Sequence, residues 1–235
     1  MTWAASRWAE RRPVPPLLSW QALQAQLSEL AADMLLNAGD AWDGQQSWAE
    51  IRFGFEPADG FSEDGLPWPR HAEVKLPGTD LQLRGVIDRF DLDEAGRRIR
   101  VVDYKSGSRK YNRHAGDLDG GNEVQRTVYG LVVRQLLGDD WDIEAGLLYS
   151  DAAAPVRLQN LADSSRRLSD AVQEAMRLLE DGKAVPGPGL SSRFEATVLA
   201  HPAVGAGWYL NRKETGLNRV RSRLAGFLDD AGEKA

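Results

Sequence analysis

Residues 85–107 read GVIDRFDLDEAGRRIRVVDYKSG, and this stretch decides the fold. Two runs rich in β-branched and aromatic residues, 81–91 and 98–105, flank Asp93-Glu94-Ala95-Gly96, which carries turn chemistry, so an antiparallel hairpin is predicted. Side chains alternate along a strand, which sets Asp103 and Lys105 on one face. Pairing across the turn brings Asp88 toward that face, so that two carboxylates and an ammonium converge. Carboxylates at such range repel unless a proton or cation intervenes. A hard divalent ion, Mg2+ or Mn2+, answers that repulsion because it takes oxygen ligands and keeps water within reach for chemistry. Lys105 would then orient or deprotonate a water, or hold a phosphate. A plainer reading competes: Asp88 pairs with Arg89 or Arg84, and Asp103 and Lys105 form an ordinary ion pair.

Working outward, Trp20, Leu23, Leu27, Leu30 and Met34 recur at helical spacing between Ser19, placed as an N-cap, and Gly39, which predicts a helix over 19–37 whose apolar face packs on the core. Strand-like runs at 48–56 and 72–76 precede the hairpin, with a turn at Pro77-Gly78-Thr79-Asp80, so four strands form a mostly antiparallel meander. A helix over 123–137 follows, with Asn122 and Gln125 placed as a capping box, then a strand over 143–149. Helices are predicted over 163–180 and over 215–229, the last with Leu217, Val220, Leu224 and Phe227 on one face. This order gives an α/β fold, a mixed, mainly antiparallel central sheet flanked by helices. The reading is a single domain over 1–235, with an N-terminal helix region at 17–47, a core at 48–150 and a C-terminal helical part at 151–235.

With 235 residues, 42% hydrophobic and 27% charged, the chain can close a core and is not disordered as a whole. No apolar run reaches the roughly 18 residues of a membrane helix, and the first residues lack the apolar stretch of a signal peptide, so a soluble, cytoplasmic protein without a membrane partner is expected. The absence of cysteine excludes disulfides, thiolate metal sites and a cysteine nucleophile, leaving oxygen or imidazole as metal ligands. The net charge of −6 hides an asymmetry: residues 29–64 carry nine acidic side chains against Arg52. Residues 97–113 carry Arg97, Arg98, Arg100, Lys105, Arg109, Lys110 and Arg113 against Asp103. Such a stripe can meet phosphate, since screening makes the field local within about 8 to 10 Å; taken alone it reads as a solvated face. His71, His114 and His201 are scattered and read as surface or capping groups, and the eight Trp as core and edge fillers.

Three blocks taken together, GVIDRFD at 85–91, VVDYKSG at 101–107 and EVQRTVYG at 123–130, resemble the RecB-like branch of the PD-(D/E)XK nucleases. That branch runs Gly-x-Ile-Asp-Arg-x-Asp, then Asp-Tyr-Lys-x-Gly, then a helix bearing Gln-x-x-x-Tyr, and the resemblance covers residues 48–150 best. It implies a restriction-endonuclease-like core, Asp88 and Asp103 as metal ligands for Mg2+ or Mn2+, Lys105 as the catalytic lysine, and Gln125 and Tyr129 lining a DNA channel. Glu50 matches an acidic position often carried on the first strand, and Arg109, Lys110 and Arg113 would hold backbone phosphates. The implied activity is metal-dependent hydrolysis of DNA by an exonuclease-like enzyme of repair or recombination, with DNA and a helicase subunit or domain as partners. There are two departures. The upstream helix offers only Glu29 and Asp33 where relatives place a Glu or His ligand, which leaves open a fragment or C-terminal domain of a longer protein. Without cysteine the chain also has no iron–sulfur cluster of the kind some relatives carry. The alternative in another class is a degenerate nuclease fold that binds DNA or acts as a scaffold without turnover.

Overall fold

The computed structural model describes residues 2–39, 42–56, 64–107, 118–121, 123–183, 219 and 222–224. Helices α1 (Thr2–Ala9) and α2 (Leu17–Asn37) lead into strand β1 (Gln46–Phe53). A small ribbon of β2 (Val74–Lys75) and β3 (Gln82–Leu83) precedes β4 (Gly85–Asp93) and β5 (Arg98–Lys105). Helix α3 (Gln125–Leu137) crosses to β6 (Asp142–Tyr149), and β7 (Val156–Arg157) and α4 (Leu161–Glu180) follow. The sheet has the order β1-β4-β5-β6-β7, antiparallel throughout except for β5 and β6. That exception follows from connectivity: a parallel neighbour needs a crossover, and α3 supplies it. The mixed, mainly antiparallel sheet flanked by helices is therefore present.

Helix α3 lies over one face of the sheet, where Ile51, Phe53, Ile87, Phe90, Leu92, Ile99 and Val101 meet Val132 and Val133. Helix α4 covers α3 in turn, through Leu168 against Leu131, Leu118 and Leu76. On the opposite face, among the described residues, the end of α2 packs, with Met34 and Ala38 against Val102 and Leu148. No helix among the described residues is long and apolar enough to cross a membrane.

Several expectations are corrected. The four-strand meander is interrupted, because the segments expected at 72–76 and 81–91 contribute a separate two-stranded ribbon before β4 joins the main sheet. Helix α2 starts behind Pro16 rather than Ser19, with no side-chain cap, since proline fixes the first turn. It buries no residue of its own, so the periodic Trp20, Leu23 and Leu27 are not core. Trp48 and Trp68 do pack on Phe90 as fillers, at ring separations of 5.6 and 5.0 Å, whereas Trp3 and Trp8 are exposed. The helix expected over 215–229 falls outside the described residues except for residue 219 and a 3-10 turn at Ser222–Leu224, whose Arg223 pairs with Glu174 on α4.

The basic stripe at 97–113 is largely structural where it is described. Arg98 holds Asp93 in the β4–β5 turn at 2.5 Å, and Arg97 approaches Asp140 on the surface. Arg100, 2% exposed, donates from Nε to Asp91 Oδ2 at 2.9 Å, while Arg89 Nε and Ser47 Oγ donate to the same carboxylate at 3.0 and 2.7 Å. Gly39 closes over this cluster with φ 123, and a Cβ there would stand 2.3 Å from Arg100 Nη1. Removing one member of a buried ion cluster leaves uncompensated charge, which costs about 3 to 5 kcal/mol. Asp91→Asn is accordingly expected to lower the unfolding free energy by about that amount, read from urea denaturation; a loss below about 1 kcal/mol would show that the two guanidinia find other partners.

Candidate active site

The strands that carry the carboxylates break their own alternation at the positions that matter. Core residues fall at Trp48, Ile51 and Phe53 on β1 and at Ile87, Phe90 and Leu92 on β4, all in one cluster. A strict period of two would set Trp48 and Ile51, or Ile87 and Phe90, on opposite faces. One break in each strand is therefore required, between Trp48 and Ile51 and between Ile87 and Phe90. In β1 it sits at Glu50, whose φ of 55 is left-handed, a conformation that costs a side-chain-bearing residue roughly 1 to 2 kcal/mol. The register sets Ala49 against Arg89 and Ile51 against Ile87, so Glu50 stands opposite Asp88. Gly85, which opens β4, lies under the Phe53 ring, where a Cβ would meet the ring at 2.8 Å.

Strands β4 and β5 separate at the same level. Their last ladder pair is Arg89 with Val102, which puts Asp88 across from Asp103 one step beyond it. There the Asp88 side chain takes over the ladder: its Oδ2 accepts from the Tyr104 backbone N–H at 2.8 Å. Neither alternative partner of Asp88 is engaged with it, since Arg89 pairs with Asp91 and Arg84 lies over Phe55.

Asp103 and Lys105 point toward the start of α3. Gln125, the first residue of α3, donates from Nε2 to Asp103 Oδ1 at 2.9 Å and accepts at Oε1 from Lys105 Nζ. Lys105 Nζ also stands 2.5 Å from Asp103 Oδ2. One turn on, Tyr129 holds its hydroxyl 3.5 Å from Gln125 Nε2 and its ring edge-on to Phe53. The structure thus brings together Asp88, Asp103, Lys105, Gln125 and Tyr129, with Glu50 exposed beside them.

Burial pushes the Asp103 carboxyl up; Lys105 pulls it back through its hydrogen bond and charge, while Asp88 and Glu123 add to the rise. Tyr129 is raised first by burial, countered by the Gln125 hydrogen bond, and further by the charges of Asp103, Asp88 and Glu50. That last influence shows that Glu50 belongs to the same electrostatic neighbourhood. Asp103 Oδ2 is buried with Lys105 Nζ as its close contact, which leaves acceptor capacity on this oxygen unused. Two carboxylates with spare oxygen lone pairs, one of them buried, suit a hard divalent cation. Among the described residues no three acidic or imidazole side chains converge on one point.

Glu123 was not singled out by sequence reasoning. It is buried, caps α3 by accepting the Arg126 backbone N–H at 3.1 Å, and pairs with the Arg126 side chain at 2.6 Å. The expected capping box is thereby replaced: Gln125 serves the site instead, and Asn122 lies outside the described residues. An acid two residues before a helix start was the available signal. Glu29 and Asp33 are exposed on α2, the helix that packs on the face opposite α3. Arg109, Lys110, Arg113, His114 and His201 lie outside the described residues.

A family model described as the PD-(D/E)XK nuclease superfamily matches residues 1–194. No curated protein and no solved structure matches the chain. The chain belongs to the PD-(D/E)XK nuclease superfamily, whose members are generally nucleases that use divalent metal ions.

Because the folded state raises the Asp103 carboxyl above its ordinary 3.8, ionising it costs stability, and that cost grows as pH rises through the range between the unfolded and folded values. Asp103→Asn is therefore expected to melt higher than the native chain at pH 7 in chelator, with the gain shrinking as pH falls toward 4. Calorimetry across that range checks it, and a large loss at pH 7 would mark Asp103 as a structural ion-pair partner only.

Proposed function

From that membership we infer that the chain is a Mg2+- or Mn2+-dependent deoxyribonuclease of the RecB-like branch, exonuclease-like, acting in DNA repair or recombination alongside a helicase subunit or domain. One observation carries the reading: Lys105 and Asp103 are both gripped by Gln125 at the point where β4 and β5 part around Asp88. An ordinary surface ion pair needs no glutamine bridge and no splayed strands. The three sequence blocks in RecB-like order support the branch and, through it, the cellular role.

Asp88 and Asp103 would hold the cation, with Glu50 on β1, opposite Asp88, as a candidate additional carboxylate. When bound, the cation polarises a phosphoryl oxygen and lowers the pKa of neighbouring water. Lys105 Nζ, held by Asp103 and Gln125, orients the attacking water and balances negative charge as the phosphorus is attacked. Gln125 keeps the amine and the carboxylate in register, and Tyr129 supports Gln125 from the next turn. Arg109, Lys110 and Arg113 would bind backbone phosphates without regard to sequence.

A second reading, a nucleic-acid-binding scaffold without turnover, is favoured by one feature: no third ligand converges with the two carboxylates among the described residues. Labelled linear duplex and single-stranded DNA, incubated with the chain in Mg2+, in Mn2+ or in chelator, separates the two. Cleavage is expected with metal and lost in chelator, and Lys105→Ala should lower it on the order of 10²- to 10⁴-fold while keeping the rise in melting temperature that metal gives. The double variant Asp88→Ala, Asp103→Ala should lose both responses. Metal-dependent stabilisation without cleavage of either substrate favours the scaffold or a truncated active site. Gln125→Ala is expected to cost about 10- to 100-fold in rate with little change in melting temperature; a loss of stability in place of rate would make Gln125 a packing residue.

A further inference from the structure

Beyond the carboxylates, at the same end of the sheet, two guanidinia share one aromatic ring. Arg52 on β1 and Arg84, immediately before β4, lie over Phe55 with their guanidinium carbons 5.2 and 4.0 Å from the ring centroid. Both arginines are exposed, and among the described residues neither has a carboxylate partner. The backbone beneath them is fixed: Trp68 Nε1 donates to Arg52 O at 3.0 Å, and the amides of Gly54 and Phe55 donate to Ala72 O and Arg70 O, each at 3.1 Å. Stacking on a ring restrains a guanidinium while leaving its in-plane N–H groups free to donate, which is the geometry that suits phosphate oxygens.

We propose that Arg52 and Arg84, stacked on Phe55, clamp the backbone phosphates of the DNA strand where it leaves the carboxylate site. The proposal rests on the nuclease reading for its choice of ligand. Arg52 is two residues from Glu50 and Arg84 four from Asp88, roughly 7 and 13 Å along extended strands. The two guanidinia share one ring beyond the carboxylates, so both are offered to phosphates of the same bound strand. A cavity of about 410 Å3 opens beside the stack, lined in part by Phe55, His71, Gln82 and Arg84 and also by Glu56 and Glu73. Its mixed charge makes the cavity itself a poor seat for a polyanion and confines the strand to the arginine edge.

The test is equilibrium binding of fluorescein-labelled single-stranded and duplex oligonucleotides to the full chain in chelator, from low to moderate salt. The double variant Arg52→Ala, Arg84→Ala should bind more weakly, with the slope of log K against log salt shallower by about 1.4 for single strands or about 1.8 for duplex, two phosphate contacts' worth. Arg52→Lys, Arg84→Lys should keep the native slope. If the alanine pair lowers the melting temperature, Arg52→Gln, Arg84→Gln is read in its place. An unchanged slope, or no DNA binding by the native chain at low salt, overturns the clamp. A reduced slope in a chain that never cleaves DNA with metal would keep the clamp and remove the nuclease reading, while normal cleavage with an unchanged slope would do the reverse.

Discussion

A carboxylate only 4% exposed must be answered by positive charge, by hydrogen-bond donors or by a proton, and the end of β5 is organised around that demand at Asp103. Lys105 answers from the same strand and Gln125 from the start of α3, which ties the sheet to its crossover helix at one point. The answer is incomplete, because one Asp103 oxygen keeps acceptor capacity and burial still pushes its carboxyl up. An interior that merely needed stability would hold an apolar residue here, since replacing a buried ion pair by packed hydrophobics is often neutral or stabilising. Retaining the charge with its demand partly unmet is what a site awaiting a cation looks like.

The same logic accounts for the distortion next door. Glu50 is held at positive φ, and β4 parts from β5 just where Asp88 begins. A regular sheet would have turned these positions alternately into the core and away from it. Breaking the alternation once in each strand keeps Ile51, Phe53 and Ile87 in the core while freeing Glu50 and Asp88 from ladder positions. The lost pairing is recovered by the Asp88 side chain accepting from the Tyr104 amide, so opening the sheet strands no buried donor there. The strain and the repair sit within one residue of each other, as expected where local structure serves a site rather than the fold.

How much of this was legible beforehand depended on the range of the interaction. The β4–β5 hairpin was plain, because Asp93 to Gly96 encode their own turn, with Gly96 N–H on Asp93 Oδ1 at 2.9 Å. Asp103 and Lys105 on one face followed from strand geometry alone, and Gln125 and Tyr129 followed only from the resemblance, since a polar residue and a tyrosine at helical spacing are otherwise unremarked. The parallel β5–β6 pair and the split of 72–91 into ribbon and strand depend on long-range pairing that local propensity does not encode. The periodicity of α2 was read correctly as helix and wrongly as core, because a helix can carry an apolar face without the described chain covering it. Glu123 was missed for the reverse reason: it is buried with the Arg126 side chain three residues on, which is itself held by donating to the β7 carbonyl of Arg157.

The arginines separate into two kinds, and the separation is the clearest guide to where anions are met. Arg89, Arg98, Arg100 and Arg126 each find a carboxylate inside the fold, so their charge is spent in holding strands and a helix start together. Sequence proximity had grouped Arg98 and Arg100 with Lys105 as one basic stripe, yet alternation along β5 and its partners sends them to different work. Arg52, the single basic residue in the acidic stretch 29–64, looked least suited to binding a polyanion when charge was averaged along the chain. Lying exposed over Phe55, beside Arg84 and without an acidic partner among the described residues, it is better placed for that task than the paired arginines of the stripe that are described. What decides the matter is how far each cation is already neutralised by its neighbours in space, because a paired guanidinium has little field left to offer a phosphate.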